Sequence, residues 1–305
     1  MTGPQRKPTP EDDRRHLPGP DSLPLWNESF WFPLYDPETR IAIVLRIGSY
    51  PNLNRSNLYL FITQDGHLVH SVVDLSTNLA EMHADRVSVG GASIEWQEAL
   101  RSFRLKYRSG DHAFDLTWRG ASEPYLYPHP PGTTVEQIPR HIEQGGIATG
   151  TVTIAGRDQQ ISAFAHRDHT WGGERDWDKF YSWNYLSGEF EGFWFNAVRI
   201  RFSPDMDDIH IGCVWDGADL LALEALDIAV DTVDGGTRQT GVRLSITDER
   251  GRVHRIVGEE VLAICPVQIR KTWIKEGFTR YRYGEAVGYG ILEHGYVESA
   301  DPPHR

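Results

Sequence analysis

The chain has 305 residues, with 31 Lys and Arg against 43 Asp and Glu and a net charge of −12. Its basic residues form no run or stripe, which argues against nucleic acid or an anionic membrane surface as a partner. Two cysteines, Cys213 and Cys265, are too few for a disulfide scaffold and lack zinc-site spacing.

No apolar run approaches the ~20 residues of a membrane span. With so few cysteines, a cytoplasmic location is the expectation. Residues 1–20 are rich in Pro, Arg and Asp, lack the apolar core of a signal peptide, and read as a disordered leader. The remaining length suits two domains, expected at residues 21–178 and 179–299 with a tail at 300–305.

From Trp26 onward, short segments of alternating apolar and polar residues are separated by Gly, Asn, Asp and Pro, and helical periodicity is nearly absent. Trp26-Asn27-Glu28-Ser29-Phe30-Trp31 opens the series. A two-residue period puts Trp26, Glu28 and Phe30 on one face, where aromatic neighbours would raise the Glu28 pKa. The alternative for Glu28 is a strand-edge ion pair with Arg. Ile41 to Ile47, Leu58 to Ile62, Ser102 to Tyr107 and Ala113 to Trp118 continue the pattern. Gln64-Asp65-Gly66-His67 is an Asp-Gly hairpin. Pro124 to Glu143, with Pro128, Pro130, Pro131 and Pro139, is the longest irregular stretch and leaves room for one short helix near Thr134 to Glu143. It reads as a lid or a surface excursion.

The densest chemistry lies in Arg167-Asp168-His169-Thr170-Trp171-Gly172-Gly173-Glu174-Arg175-Asp176-Trp177. Alternation places Arg167, His169 and Trp171 on one face and His166 and Asp168 on the other. Such groups line a polar-bottomed pocket, or else form an ion-pair network that staples strands together. His166-x-x-His169 has metal-like spacing only for a helix, and on a strand the two rings point apart. Downstream, Phe180 to Leu186 and Phe190 to Asn196 put Tyr181, Trp183 and Tyr185 on one face, and Trp194 with Asn196 on another. Tyr185 and Asn196 would need hydrogen bonds if buried. Trp194 to Phe202 and Ile209 to Trp215 are further strands, and Trp215-Asp216-Gly217, Val233 to Thr237 and Asp248 to Gly251 read as turns. On the closing strand Tyr289 and Glu293 share a face and suit barrel closure. The spacing predicts an all-β chain of antiparallel barrels or sandwiches. A phosphate loop, a Gly-x-Ser-x-Gly elbow and a His-Glu-x-x-His helix are all missing, so no cofactor and no metal are expected.

Three stretches carry a family resemblance: Trp26 to Phe32, Arg167 to Trp177 with its Arg-Asp-His-Ser/Thr-Trp-Gly motif, and Gly288-Tyr-Gly-Ile-Leu-Glu293. On these the chain resembles the lipocalin-like proteins related to carotenoid 1,2-hydratase (hydroxyneurosporene synthase) and AttH, in a bacterial branch bearing that motif. The resemblance implies two lipocalin-type (calycin) antiparallel β-barrel domains packed against each other, with the central motif near their junction. It also implies an apolar ligand, since relatives hydrate an isoprenoid double bond and related Diels–Alderase and cyclase branches enclose polyene or terpenoid chains. The hydratase branch uses a His-x-Trp pair, matched by His169 and Trp171, and a Tyr-x-Asp pair. The latter is replaced here by Trp194-Phe195-Asn196, and Asn196 cannot supply the proton that carotenoid hydration needs.

The expected chemistry is proton transfer on an apolar isoprenoid or terpenoid, steroid or polyketide-like molecule, by hydration or dehydration, isomerisation or cyclisation. Protonating an alkene requires a shielded acid and an electron-rich wall. His169, Asp168, Asp176 and Glu28 are the candidate catalytic groups. Trp26, Arg167, Trp171, Arg175, Trp177, Trp183, Tyr185, Trp194 and Asn196 are the candidate substrate contacts, with Arg175 holding a carboxylate and Trp171 and Trp183 walling the reacting carbon. Because Arg lowers a carboxylate pKa, His169 is the favoured proton carrier. The competing reading is a non-catalytic lipocalin-like protein that binds an apolar ligand.

Overall fold

The computed structural model describes residues 6–78, 81–83 and 85–298. It divides into two compact units. One takes the chain up to Gln64 together with Val69–Arg175, and the other takes Asp65–Leu68 together with the chain from Asp176 onward. The architecture is all-β: two large curled antiparallel sheets, whose helical elements among the described residues are 3-10 turns of three or four residues.

The first sheet contains β1 (Trp26–Asp36), β2 (Ile41–Tyr50), β3 (Arg55–Gln64), β4 (His67–Asn78), β5 (Glu81–His83), β6 (Arg86–Val89), β7 (Ala92–Glu98), β8 (Ser102–Ser109), β9 (His112–Gly120), β10 (Tyr125–Leu126), β11 (Arg140–Ile154) and β12 (Arg157–Glu174). Its strand order is β4-β3-β2-β1-β12-β11-β9-β8-β7-β6-β5, with β10 beside β11. The second sheet is a closed barrel of β13 (Ser182–Phe190), β14 (Phe193–Arg201), β15 (Ile209–Trp215), β16 (Leu220–Val233), β17 (Arg238–Asp248), β18 (Val253–Ile269), β19 (Thr272–Tyr283) and β20 (Ala286–Val297), in that order.

Alternation explains most of this. In the first sheet Phe30, Phe32 and Leu34 of β1 meet Ile47, Leu45 and Ile43 of β2 on the inner face, with Leu58, Leu60 and Ile62 of β3 next to them. Burying each such side chain contributes about 1.5–3 kcal/mol. The Asp-Gly hairpin forms as its residues require, because Asp65 and Gly66 both take positive φ (53° and 79°). The outer face of β1 and β2 departs from simple alternation: both strands are buried along their whole length. That face therefore holds buried polar groups, including Ser29, Arg46 and, on β3, Asn57.

Two expectations are revised. Of the leader read as disordered, residues 1–5 lie outside the described residues, but residues 6–20 are placed and anchored. Pro10–Asp13 form a 3-10 turn, and Asp13 is completely buried. Composition alone misses this, because the ordering comes from long-range partners. The helix expected near Thr134 to Glu143 is instead a single turn closed by Ile138 N–H to Thr134 O (3.0 Å), and β11 begins at Arg140. Pro139 cannot continue a helix, and from Arg140 the chain pairs with β12. The expected tail at 300–305 lies outside the described residues. Both cysteines are buried and outside any disulfide, and among the described residues no helix is long and apolar enough to cross a membrane.

Candidate functional site

β12 lies between β1 and β11, and the pleat splits the central motif into two sets of side chains. On the inner face Arg167 is fully buried. Its Nη1 donates to Asp13 Oδ1 (2.6 Å), its Nε donates to Gln144 Oε1 (2.8 Å), and its guanidinium lies 4.5 Å from the Phe103 ring centroid and 5.4 Å from that of Trp118. Asp13 also accepts the Leu100 amide (2.5 Å), while its own carbonyl takes the Trp96 indole N–H (2.5 Å). Arg167 is thus the anchor of the N-terminal segment.

His169 stacks on Phe30 (4.2 Å between centroids) and donates from Nε2 to Glu28 Oε1 (3.1 Å). Burial holds its pKa below the ordinary imidazole value. The same Glu28 oxygen accepts His16 Nδ1–H (3.0 Å) and the His16 amide (2.8 Å). Burial alone would raise the Glu28 pKa, but the hydrogen bonds from His16 and His169 outweigh it and hold the carboxyl below its usual value. This reverses the direction expected from the aromatic neighbours. Trp171 stacks flat on His16 (4.3 Å, 4°) and packs with Trp26, Leu126 and Ile142. His16, Glu28 and His169 are the group that brings potential metal donors together among the described residues, with one such atom each, all within 4.8 Å.

The outer face carries His166, Asp168 and Thr170, opposite Gly145, Glu143 and His141 of β11. Glu143 is fully buried and takes both imidazoles, His141 through Nε2–H to Oε1 and His166 through Nε2–H to Oε2 (2.7 Å). His141 Nδ1 also bonds Thr170 Oγ1 (2.6 Å). Burial would raise Glu143, yet the charge and hydrogen bond of His141, reinforced by His166, hold it down at about 2. Burial would lower His141, but Glu143 raises it. Asp168, directly across from Glu143, is half-buried and is pushed up to about 6. Burial is the main cause, and the Glu143 charge adds to it against the pull of His141, Arg46 and Arg175. Its Oδ1 has no hydrogen-bond partner among the described residues. Arg46 donates to Asn57 Oδ1 (2.8 Å), and Trp31 stands opposite Asp168 on β1. Desolvation, with Arg46 nearby, lowers the pKa of the half-buried Arg175.

His141, Glu143 and Trp31 were not singled out in the sequence. The signal for the first two was the alternation His141-Ile142-Glu143, hidden by reading that stretch as helix.

The remaining candidates belong to the second unit. Asp176 caps the turn Trp177–Lys179 by accepting the Asp178 amide (3.3 Å), and its ionic partner is Arg270 rather than Arg175. Trp177 stacks on Trp183 (5.5 Å), whose indole N–H donates to Glu293. Trp183 and Tyr185 share a face of β13 with the β20 residue Glu293, and both are buried. Trp194 is buried opposite Glu189, and the buried Asn196 donates to Leu186 O (3.2 Å), the hydrogen bond its position demands.

Comparison with solved structures supports the fold. An AttH protein from Nitrosomonas europaea is similar at 13% identity and a TM-score of 0.68, covering 93% of this chain and 98% of its own. Kievitone hydratase from Nectria haematococca aligns at 15% identity and a TM-score of 0.64 over 88% of each chain. CghA, in a structure with Sch210972, aligns at 12% identity and a TM-score of 0.63 over 100% of this chain and 99% of its own. At these identities the likeness is one of fold, which is lipocalin-like in the AttH manner. No curated protein sequence matches the chain. Residues 9–297 match one family profile, and the chain belongs to that family, described as "Domain of unknown function (DUF7064)".

Proposed function

We propose that this protein is a cofactor-free enzyme that adds or removes water, or shifts or closes a double bond, on an apolar isoprenoid or terpenoid, steroid or polyketide-like molecule. Asp168 is the proton donor. The observation that carries this reading is the cross-strand carboxyl pair of β11 and β12: Glu143 takes both imidazoles, while Asp168 beside it keeps one oxygen, Oδ1, that has no hydrogen-bond partner among the described residues. Two carboxyl groups set apart by their surroundings are the arrangement from which acid and base roles are assigned. The fold it shares with a hydratase gives support.

In the hydration direction, Asp168 gives its proton to one alkene carbon and a C–H bond forms. Water then closes a C–O bond at the cationic carbon and returns a proton to the Asp168 carboxylate, so that one water is added and the acid is regenerated. Trp31, across from Asp168 on the same face, supplies the electron-rich wall. This reading assigns the proton to Asp168 instead of His169. The His169 ring is stacked on Phe30, its Nε2 is bound to Glu28, and it lies on the opposite face of β12.

The competing reading, a binding protein whose motif is only an anchor, draws on Arg167, whose Nη1 and Nε are bound to Asp13 and Gln144. One experiment separates the two. The full chain and its Asp168→Asn variant are incubated in D2O with a panel of terpenoid, steroid and polyketide alkenes and alcohols, and mass spectrometry follows deuterium uptake and water addition. Turnover that is lost in the variant supports the enzyme; ligand binding without turnover in either protein overturns it.

A further inference from the structure

We infer that His16, Glu28 and His169 form a binding site for one divalent transition-metal ion of the zinc class, which ties the N-terminal segment to the inner face of the first sheet. The three residues come from distant parts of the chain, and each brings one nitrogen or oxygen atom to a cluster less than 4.8 Å across.

The distances suit such an ion. His16 Nδ1 and His169 Nε2 lie 3.0 and 3.1 Å from the same Glu28 oxygen. Zinc bonds of about 2.0–2.1 Å at tetrahedral angles put neighbouring ligand atoms about 3.3–3.4 Å apart, so the two Glu28 contacts need to open by only a few tenths of an ångström, while the two imidazole nitrogens lie within 4.8 Å of each other. The carboxylate is used unevenly: Oε1 takes three donors, while the buried Oε2 takes none among the described residues. An ion held by the carboxylate and two imidazoles would occupy that idle oxygen or leave a fourth position for water. Two imidazoles and a carboxylate select zinc-like ions over Mg²⁺ and Ca²⁺, which take oxygen ligands. The His16 side chain keeps 23% of its surface exposed while those of Glu28 and His169 keep none, so the ion enters from the His16 side. No acceptor backs His169 Nδ1 among the described residues, which sets the affinity below that of sites whose histidines are so backed.

The site lies on the opposite face of β12 from Asp168, so it stands or falls separately from the proposed chemistry. Chelator-stripped full-length protein is titrated with Zn²⁺ by calorimetry and with Co²⁺ by visible absorption, alongside His16→Ala, Glu28→Gln and, as a control, His70→Ala. The expected result is one ion per chain, a tetrahedral Co²⁺ band, and a rise in Tm with Zn²⁺ that chelator reverses. Loss of a supporting partner alone costs about 10–100-fold in affinity, so His16→Ala and Glu28→Gln should lose at least about 100-fold while His70→Ala binds as the parent does. His16 is partly exposed on the N-terminal segment, so its variant reports even if Glu28→Gln folds poorly. The absence of a stoichiometric ion, unchanged affinity in His16→Ala, or loss confined to His70→Ala overturns the assignment.

Discussion

Truncating Asp13 to Ala tests the anchoring of the N-terminal segment most directly. Asp13 and Arg167 are 154 positions apart in sequence, both fully buried, and joined at 2.6 Å. Removing the carboxylate strands a guanidinium whose other supports are Gln144 and the faces of Phe103 and Trp118. Breaking one side of a buried pair costs about 3–5 kcal/mol. For a unit of this size, each kcal/mol moves Tm by about 2–4 °C, so the variant should melt roughly 6–20 °C lower. Removing both charges together is far milder, because an apolar replacement of a buried pair is often neutral. Urea unfolding of the parent, Asp13→Ala, Arg167→Met and the double variant gives the coupling energy. A loss below about 1 kcal/mol in Asp13→Ala, or strict additivity in the double variant, would refute the argument that this contact orders residues 6–20.

Other consequences follow from single contacts. Asp168→Asn should lower turnover by about 10²–10⁴-fold with Tm nearly unchanged, and a large Tm loss would instead mark Asp168 as structural. In the second unit, burial would raise Asp248, but hydrogen bonds from His254, the Arg252 and Arg250 amides and the Arg252 side chain hold it at about 2. A carboxyl lowered in the folded state stabilises above its unfolded pKa and loses that contribution as pH falls. Tm should therefore drop between pH about 4 and about 2, and Asp248→Asn should flatten that slope; parallel curves would remove Asp248 as the cause. Gly295→Ala would place a Cβ 2.0 Å from the Trp183 indole, which lies flat over the glycine. The expected cost is about 1–3 kcal/mol, with a shift in tryptophan fluorescence as the Trp183–Glu293 hydrogen bond breaks; an unchanged spectrum and Tm would contradict the packing.

The legible part of the chain was periodic and local. A two-residue alternation from Trp26 to Glu293 requires strands. Asp65-Gly66 specifies a tight hairpin through positive φ, and the pleat alone puts Arg167, His169 and Trp171 on the face opposite His166 and Asp168. Which charges meet depends on the folded arrangement of the strands. Arg167 finds Asp13 in a segment whose composition resembles a solvated leader, and Glu143 finds two imidazoles because β11 starts at Arg140, within the stretch where the sequence leaves room for a helix. The direction of each pKa follows from those meetings. Glu28 is lowered by His16 and His169 despite its aromatic neighbours, and Asp168 is raised by burial beside Glu143 despite Arg46 and Arg175. Strand periodicity is written in nearest neighbours along the chain, whereas burial and charge pairing depend on partners that only folding brings within a few ångströms.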